Sequence, residues 1–265
     1  MKTLLYCEFT RLWQRRWLWL VVLSSPILAY ITGSYFLWLH AIDSSAVSDT
    51  LFPIVGLREN LHLICNIVIA AIVATIFTEE FRGGQLRLLF LRRFTRGQIF
   101  FSKLIVVYLS VFILLVVLGL SLWGVGELRL PDEENSVRLS LAFKYTILYY
   151  LLGYATLVCI GSLFAFIAMY SKNVTYALGI CMAYILAALL FDGFYLKLAA
   201  LFSGIPYIHE LISYMLIPYT QRVGLDASFS GVATTNGALL TIFILHVTLF
   251  NWLAYRRFVA DDYTY

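Results

Sequence analysis

Long apolar stretches separated by short polar ones dominate this chain. Six runs of 18 to 26 residues contain no Asp, Glu, Lys or Arg. A helix needs about 20 apolar residues to cross a bilayer core, and one charge at its centre costs about 2.5–3.5 kcal/mol. The pattern therefore predicts an all-α polytopic membrane protein with six transmembrane helices. The predicted spans are residues 17–39, 61–78, 104–125, 145–170, 174–191 and 238–255.

The segment before the first run, residues 1–16, has the period of an amphipathic helix. At 100° per residue its apolar side chains gather on one face and its charged ones on the other. Such a helix lies in the membrane interface and does not cross it. We expect the charged face to meet water or a soluble partner. The apolar face carries Leu5, Phe9, Leu12, Trp13 and Trp17, and the charged face carries Glu8, Arg11 and Arg15.

Residues 192–237, ahead of the last run, hold two apolar pieces that are each too short to span. Gly204, Pro206 and Pro218 interrupt them, and His209 and Glu210 add polar side chains. A broken backbone at membrane depth needs protein around it, because unpaired amides cannot face lipid. We therefore expect an outer re-entrant helical hairpin before the last span.

Composition supports the membrane assignment. The chain has 265 residues, of which 62% are hydrophobic and 13% charged, whereas soluble domains are about 25% charged. This excludes an ordinary soluble enzyme and a disordered chain. The spans leave no room for a large soluble domain, so we treat residues 1–265 as one transmembrane domain. The four cysteines suggest no disulfide framework and no metal site.

The basic residues predict an orientation. With both termini in the cytoplasm, 13 of the 19 Lys and Arg residues fall on the cytoplasmic side, as the positive-inside rule requires. This indicates a multi-pass protein of the cell membrane. The net charge of +4 suits an anionic lipid surface and gives no reason to expect a nucleic-acid partner.

The charged segment 79–103, between the second and third runs, resembles the corresponding segment of ABC-2-type exporter permeases. That family has a Glu at the end of the second span, a Gly about four residues later, a Leu-rich turn and a Lys at the start of the third span. Gln85, Arg93 and Ser102 stand where the family usually has Thr, Pro and Gly. The residues that fit the family pattern are Glu80, Gly84, Leu88, Leu89, Arg96 and Lys103.

The resemblance implies that this chain is the transmembrane permease of an ABC exporter, whose segment 79–103 couples it to ATP hydrolysis elsewhere. It implies two ABC ATPase subunits, which bind ATP and Mg, and a second permease that is identical or homologous. The cargo expected is hydrophobic or amphipathic, such as a peptide antibiotic, a drug or a lipid-like compound. The ATPase-coupling residues implied are Glu79, Glu80, Arg82, Gly83, Gly84, Arg87, Arg96 and Lys103.

Two other functions are considered. One is a non-transporting membrane sensor or scaffold coupled to an ATPase. The other is an intramembrane protease, which the Glu79–Glu80 pair suggests, but Gly84 stands where that family requires Arg. No G-x-x-x-x-G-K-[ST] loop occurs, so we expect no cofactor on this chain and no catalytic residue.

The polar residues inside the predicted spans include Asn66, His246 and Asn251. Polar groups at membrane depth usually face a bundle interior or a cavity. They are candidates for a transport pathway, although the two asparagines could equally well hydrogen-bond between helices.

Overall fold

The fold is seen in a computed structural model that describes residues 2–42, 47–78, 94–130, 136–171, 173–229 and 231–260. Every regular element in these ranges is helical, which confirms the all-α prediction. Two short π-helical turns interrupt the α-helices, at Leu61–Cys65 and at Thr220–Gly224. The α-helices are α1 Lys2–Trp13, α2 Arg16–Ile42, α3 Phe52–Asn60, α4 Asn66–Thr78, α5 Arg96–Arg129, α6 Ser136–Ser171, α7 Val174–Leu190, α8 Asp192–Ala200, α9 Pro206–Ser213, α10 Ile217–Tyr219, α11 Leu225–Ser228 and α12 Ala233–Ala260.

Each of the six predicted runs lies in a helix that is long and apolar enough to cross a membrane, or in a bent pair of helices. Five helical stretches are long enough alone. The fifth run is α7, whose 17 residues continue into α8 after a bend of 62°. The count of spans among the described residues is therefore five, or six when the bent pair is one span.

The second span begins earlier than the apolar pattern predicts. Its helix starts at Phe52 and runs to Thr78 through the first π-helical turn, whereas the apolar run starts at residue 61. The charge of Arg58 lowers the hydropathy of this segment, but the helix continues through it. The Arg58 guanidinium pairs with the Asp226 carboxylate at 2.9 Å.

The buried core surrounds α4. Ile69, Ile72 and Val73 on this helix are at most 2% exposed, and α4 packs against α5, α6 and α7. The long helices α6 and α12 pack along each other. α2 and α12 lie at the periphery with many exposed apolar side chains, as expected for helices that face lipid or another subunit.

Residues 192–229 form short helices that fold back onto the bundle. α9 packs against α12, while α10 and the second π-helical turn pack against α7 and the first π-helical turn. Gly224 permits this compact turn, because a Cβ there would lie 2.9 Å from the Tyr214 ring. Burial raises the pKa of the Tyr214 phenol. The position of this segment in the membrane remains a prediction.

The amphipathic helix is shorter than expected. α1 ends at Trp13, and a tight turn leads directly into α2 at Arg16. The Trp19 indole donates to the Trp13 carbonyl at 2.7 Å and stacks edge-on against the Trp13 ring, so the corner is held by side chains of both helices. A single amphipathic helix that fills residues 1–16 is therefore wrong.

Candidate functional site: a charged junction at the helix ends

The end of α4, the start of α5 and the N-terminal helix α1 meet at a buried ion pair. Lys103 Nζ lies 3.4 Å from Glu8 Oε2 and donates to the Ile76 carbonyl at 3.2 Å. Glu8 is 5% exposed and Lys103 is 1% exposed. We call Glu8, Lys103 and the Ile76 carbonyl the charged junction. It joins α1 to the two helices that flank residues 79–93.

The expectation that Glu8 faces water is wrong. Leu4, Glu8 and Leu12 recur every four residues and form the buried stripe of α1, which packs against α5. Amphipathic analysis assigns a carboxylate to the water side because burying a lone charge is costly. Here Lys103 supplies the opposite charge, and Arg11 Nη2 lies 2.6 Å from the same oxygen.

The predicted apolar face of α1 is buried at Leu12 and only partly buried at its other positions. Leu5, Phe9 and Trp13 are half-buried against the core, and Phe9 stacks on Trp13 with ring centroids 5.6 Å apart. Arg11 and Arg15 are intermediate in exposure. Leu5, Phe9 and Trp13 thus pack against the core beside the buried stripe of α1.

α5 starts earlier than the apolar run indicates. Thr95 accepts from the Gln98 backbone while the Gln98 side chain accepts from the Thr95 backbone, which forms a capping box. Residues 96–103 are thus the first turns of α5 and not part of an irregular segment. This places Lys103 two helical turns inside α5, at the level of the α4 terminus.

Arg96 joins α5 to the last span. Its guanidinium donates to the Val259 carbonyl, near the C-terminal end of α12, where a cation is favoured by the helix dipole. Next to it, Phe100 contacts the rings of Tyr255 and Phe258. Gly97 brings the helices close, since a Cβ there would meet the Tyr255 hydroxyl at 3.4 Å.

The other implied coupling residues cannot be placed. These residues lie outside the described part of the chain, and they are Glu79, Glu80, Arg82, Gly83, Gly84 and Arg87.

The sequence model of the ABC-2 family transporter proteins matches residues 4–189, which is 186 of the 265 residues. The chain belongs to this family. A comparison with curated proteins finds no match. The matched region starts in α1 and ends in α7, so it contains every residue of the charged junction.

Membership of the ABC-2 family identifies the chain as the membrane subunit of a transporter, and such subunits are generally non-catalytic. Among the described residues, no three His, Cys, Asp or Glu side chains are grouped so that they could hold a metal ion.

In this ABC-2 permease, Asn66 belongs to a closed amide pair. Asn66 Nδ2 donates to Gln221 Oε1 at 2.7 Å, and Gln221 Nε2 donates to Asn66 Oδ1 at 3.1 Å. Gln221 Nε2 also donates to Thr156 Oγ1 at 3.1 Å. All three residues are 0% exposed. We call Asn66, Gln221 and Thr156 the amide cluster, and its geometry favours a role in joining helices.

Asn251 belongs to a second polar group, centred on Tyr108. Asn251 Nδ2 donates to the Tyr108 hydroxyl at 3.0 Å, and this hydroxyl lies 2.7 Å from Ser162 Oγ. Ser162 is six residues from Thr156 on α6, or about 9 Å along the helix axis. The two asparagines therefore do not share one site.

His246 also lies apart from both groups. Its Nδ1 is 3.1 Å from the Ile242 carbonyl of its own helix, and its ring contacts Phe250. It is 5% exposed. Asn66 and His246 are buried and Asn251 is half-buried, and the three candidate pathway residues lie at separate places that the structure does not bring together.

Sequence reasoning missed Gln221 and Asp226. Both lie in the broken segment before the last span, where a polar side chain looks like ordinary loop composition. Their partners Asn66 and Arg58 are 155 and 168 residues away. Only the fold brings them together.

Proposed function

We propose that this chain is the permease of an ATP-driven exporter that moves a hydrophobic or amphipathic cargo outward across the cell membrane. Two ABC ATPase subunits on the cytoplasmic side bind ATP and Mg, and a second permease, identical or homologous, completes the transporter. The cargo class, which includes peptide antibiotics, drugs and lipid-like compounds, is supported by the family and by the 17% aromatic content.

The charged junction carries this proposal. Lys103 is bonded both to α1, through Glu8, and to the end of α4, through the Ile76 carbonyl. Residues 79–93 connect α4 to α5, so a partner that displaces this connection also displaces α1. The amphipathic helix and the coupling segment therefore act as one unit toward the ATPases.

ATP can shift the permease only by favouring one of its conformations over another. A buried ion pair suits this role because two opposite charges held away from water are costly to separate, so the helices that carry Glu8 and Lys103 stay in contact. Because Lys103 contacts both Glu8 and the Ile76 carbonyl, we expect α1, the start of α5 and the end of α4 to move together. The Arg96 contact extends the same unit to the end of α12.

The test is ATP hydrolysis and cargo transport by the complex reconstituted with its ATPases in liposomes. We expect Glu8→Gln and Lys103→Met each to reduce cargo-stimulated hydrolysis severely, because each removes the charge attraction that links α1 to α5. The exchange of Glu8→Lys with Lys103→Glu should restore part of the stimulation. Lys197→Met, at an exposed lysine, is the matched control and should behave as wild type.

Two results would contradict the proposal in different ways. If both single variants keep wild-type stimulation, the charged junction does not couple the subunits. If the wild-type complex hydrolyses ATP but no cargo is moved and none stimulates it, export is refuted. The chain is then a membrane sensor or scaffold.

A further inference from the structure

An apolar crevice lies between α2 and the core, and none of its lining residues belongs to the charged junction or to either polar group. Its only polar side chains are two serines and one cysteine, and the Ser24 and Ser25 hydroxyls both donate to the Val21 carbonyl. The crevice therefore offers hydrocarbon a nearly nonpolar surface. It is lined by Val21, Ser24, Ser25, Leu28, Ile64, Cys65, Val68, Ile69, Val111, Leu114, Leu115 and Leu157.

The crevice arises from the way α2 packs. α2 rests on α3 and α5, and the wedge that remains between α2 and the first turns of α4 forms the cavity. An empty apolar space forfeits the dispersion contacts that its lining could make. In a bilayer, the hydrocarbon chains of the lipids are available to fill this crevice.

The crevice is reached from the exposed side of α2. Ser24 lines the crevice and is itself exposed. Arg16, Leu20 and Ser24 recur every four residues, so they form one stripe on this helix. Leu20 is 68% exposed, and Arg16 at the start of the stripe is exposed as well. A continuous path therefore leads from a cationic helix end into the crevice.

The crevice lies at a depth that one lipid chain can reach from Arg16. At 1.5 Å per residue, Val21 and Leu28 lie about 7.5 Å and 18 Å along α2 from Arg16. One leaflet of the hydrocarbon core is about 15 Å thick, half of the total. A chain whose headgroup sits at Arg16 thus passes beside most of the crevice.

We propose that the crevice is a binding site for an anionic phospholipid of the bilayer, with one acyl chain in the crevice and the phosphate held by Arg16. The positive charge of Arg16 selects an anionic headgroup, and the apolar lining accepts the chain. The lipid fills the wedge between α2 and α4 and so becomes part of the packing of the first two spans.

The test uses the full-length chain in nanodiscs that contain phosphatidylglycerol with a photoreactive diazirine near the end of one acyl chain. After irradiation, mass spectrometry locates the adducts. We expect them on the peptides that carry Ile64–Ile69 and Val111–Leu115. Ser24→Trp, which blocks the mouth, should lose most of these adducts. Leu23→Trp, at the neighbouring 65% exposed position, should keep them.

A second arm tests the headgroup. Arg16→Gln should lower the yield of crevice adducts from limiting phosphatidylglycerol about fivefold, since a basic residue near an anionic surface contributes about that factor. Arg256→Gln, at an exposed arginine of α12, should leave it unchanged. The same probe on phosphatidylcholine should label the crevice less well and should not respond to Arg16→Gln.

Three results would overturn the site. Equal labelling in Ser24→Trp and Leu23→Trp would show ordinary lipid at the protein surface. Equal labelling by the two headgroups would remove the role of Arg16. The absence of crevice adducts in the wild-type chain would assign the wedge to another occupant, such as a second copy of this chain.

Discussion

At the scale of single residues, burial changes the meaning of polar side chains. Glu8 looks like a solvated residue in sequence and is buried against Lys103. Asn66 looks like a pathway residue and is closed off by Gln221. In each case the local pattern is identified correctly, but the partner lies at least 95 positions away. A hydropathy profile takes no account of a partner that lies so far away in the sequence.

The amide cluster leads to a prediction about stability. Gln221→Ala removes the partner of both Asn66 and Thr156 and leaves buried polar groups unsatisfied, which costs about 1–3 kcal/mol. We expect a lower thermal unfolding midpoint for the purified chain in detergent. Gln14→Ala, at an exposed position, is the control and should stay within about 0.5 kcal/mol of wild type.

A double-mutant cycle makes this prediction specific. Asn66→Ala combined with Gln221→Ala should cost less than the sum of the two single changes, because the pair is lost only once. Additive losses would mean that the two amides do not interact in the folded protein.

At the scale of helices, charge-free runs located all six apolar segments, because the cost of a charge in hydrocarbon applies everywhere in the chain. The helix ends were predicted less well. The second span extends nine residues beyond its run, and α5 starts eight residues before its own. Glu59 and Lys103 are the charged residues that precede these two apolar runs in the sequence, yet in the fold each lies beside an opposite charge and the helix continues.

The docking of α1 gives a prediction at this scale. Leu4 and Leu12 are 3% and 2% exposed, and truncating a buried leucine costs about 2–5 kcal/mol. The variant with Leu4→Ala and Leu12→Ala should release α1 from α5. Hydrogen exchange of residues 2–13 should then become faster while the exchange of α5 changes little.

Tyr6→Ala provides the matched control for α1, since Tyr6 is 70% exposed on the same helix. Its exchange should resemble that of wild type. Unchanged protection in the double leucine variant would show that α1 is held by its lipid contacts and not by α5.

At the scale of the whole molecule, the prediction concerns orientation. The division of basic residues places both termini in the cytoplasm and residues 192–237 outside. Single cysteines in a cysteine-free background test this by labelling with an impermeant maleimide. The outer cysteine should not replace a residue that holds helices together, as Asp226 does by pairing with Arg58. The outer reporter is therefore Ser203→Cys, at an exposed turn.

The inner reporter is Ala260→Cys, at the end of α12. We expect position 203 to react in intact cells and position 260 to react only after permeabilisation. Labelling of position 260 in intact cells would contradict the predicted arrangement of six spans with both termini in the cytoplasm.

The two π-helical turns have a consequence for how the chain tolerates changes in length. Each turn accommodates one more residue than an α-helical turn would, and Asn66 follows one while Gln221 lies within the other. Deleting one residue from Leu61–Cys65 would keep the span apolar and nearly as long. It would also rotate Asn66 by about 100° relative to the preceding helix, away from Gln221. The number of residues in Leu61–Cys65 therefore decides which way the side chains of α4 face. A one-residue gap at this place in a homologue would mark a permease that has lost or replaced the amide cluster.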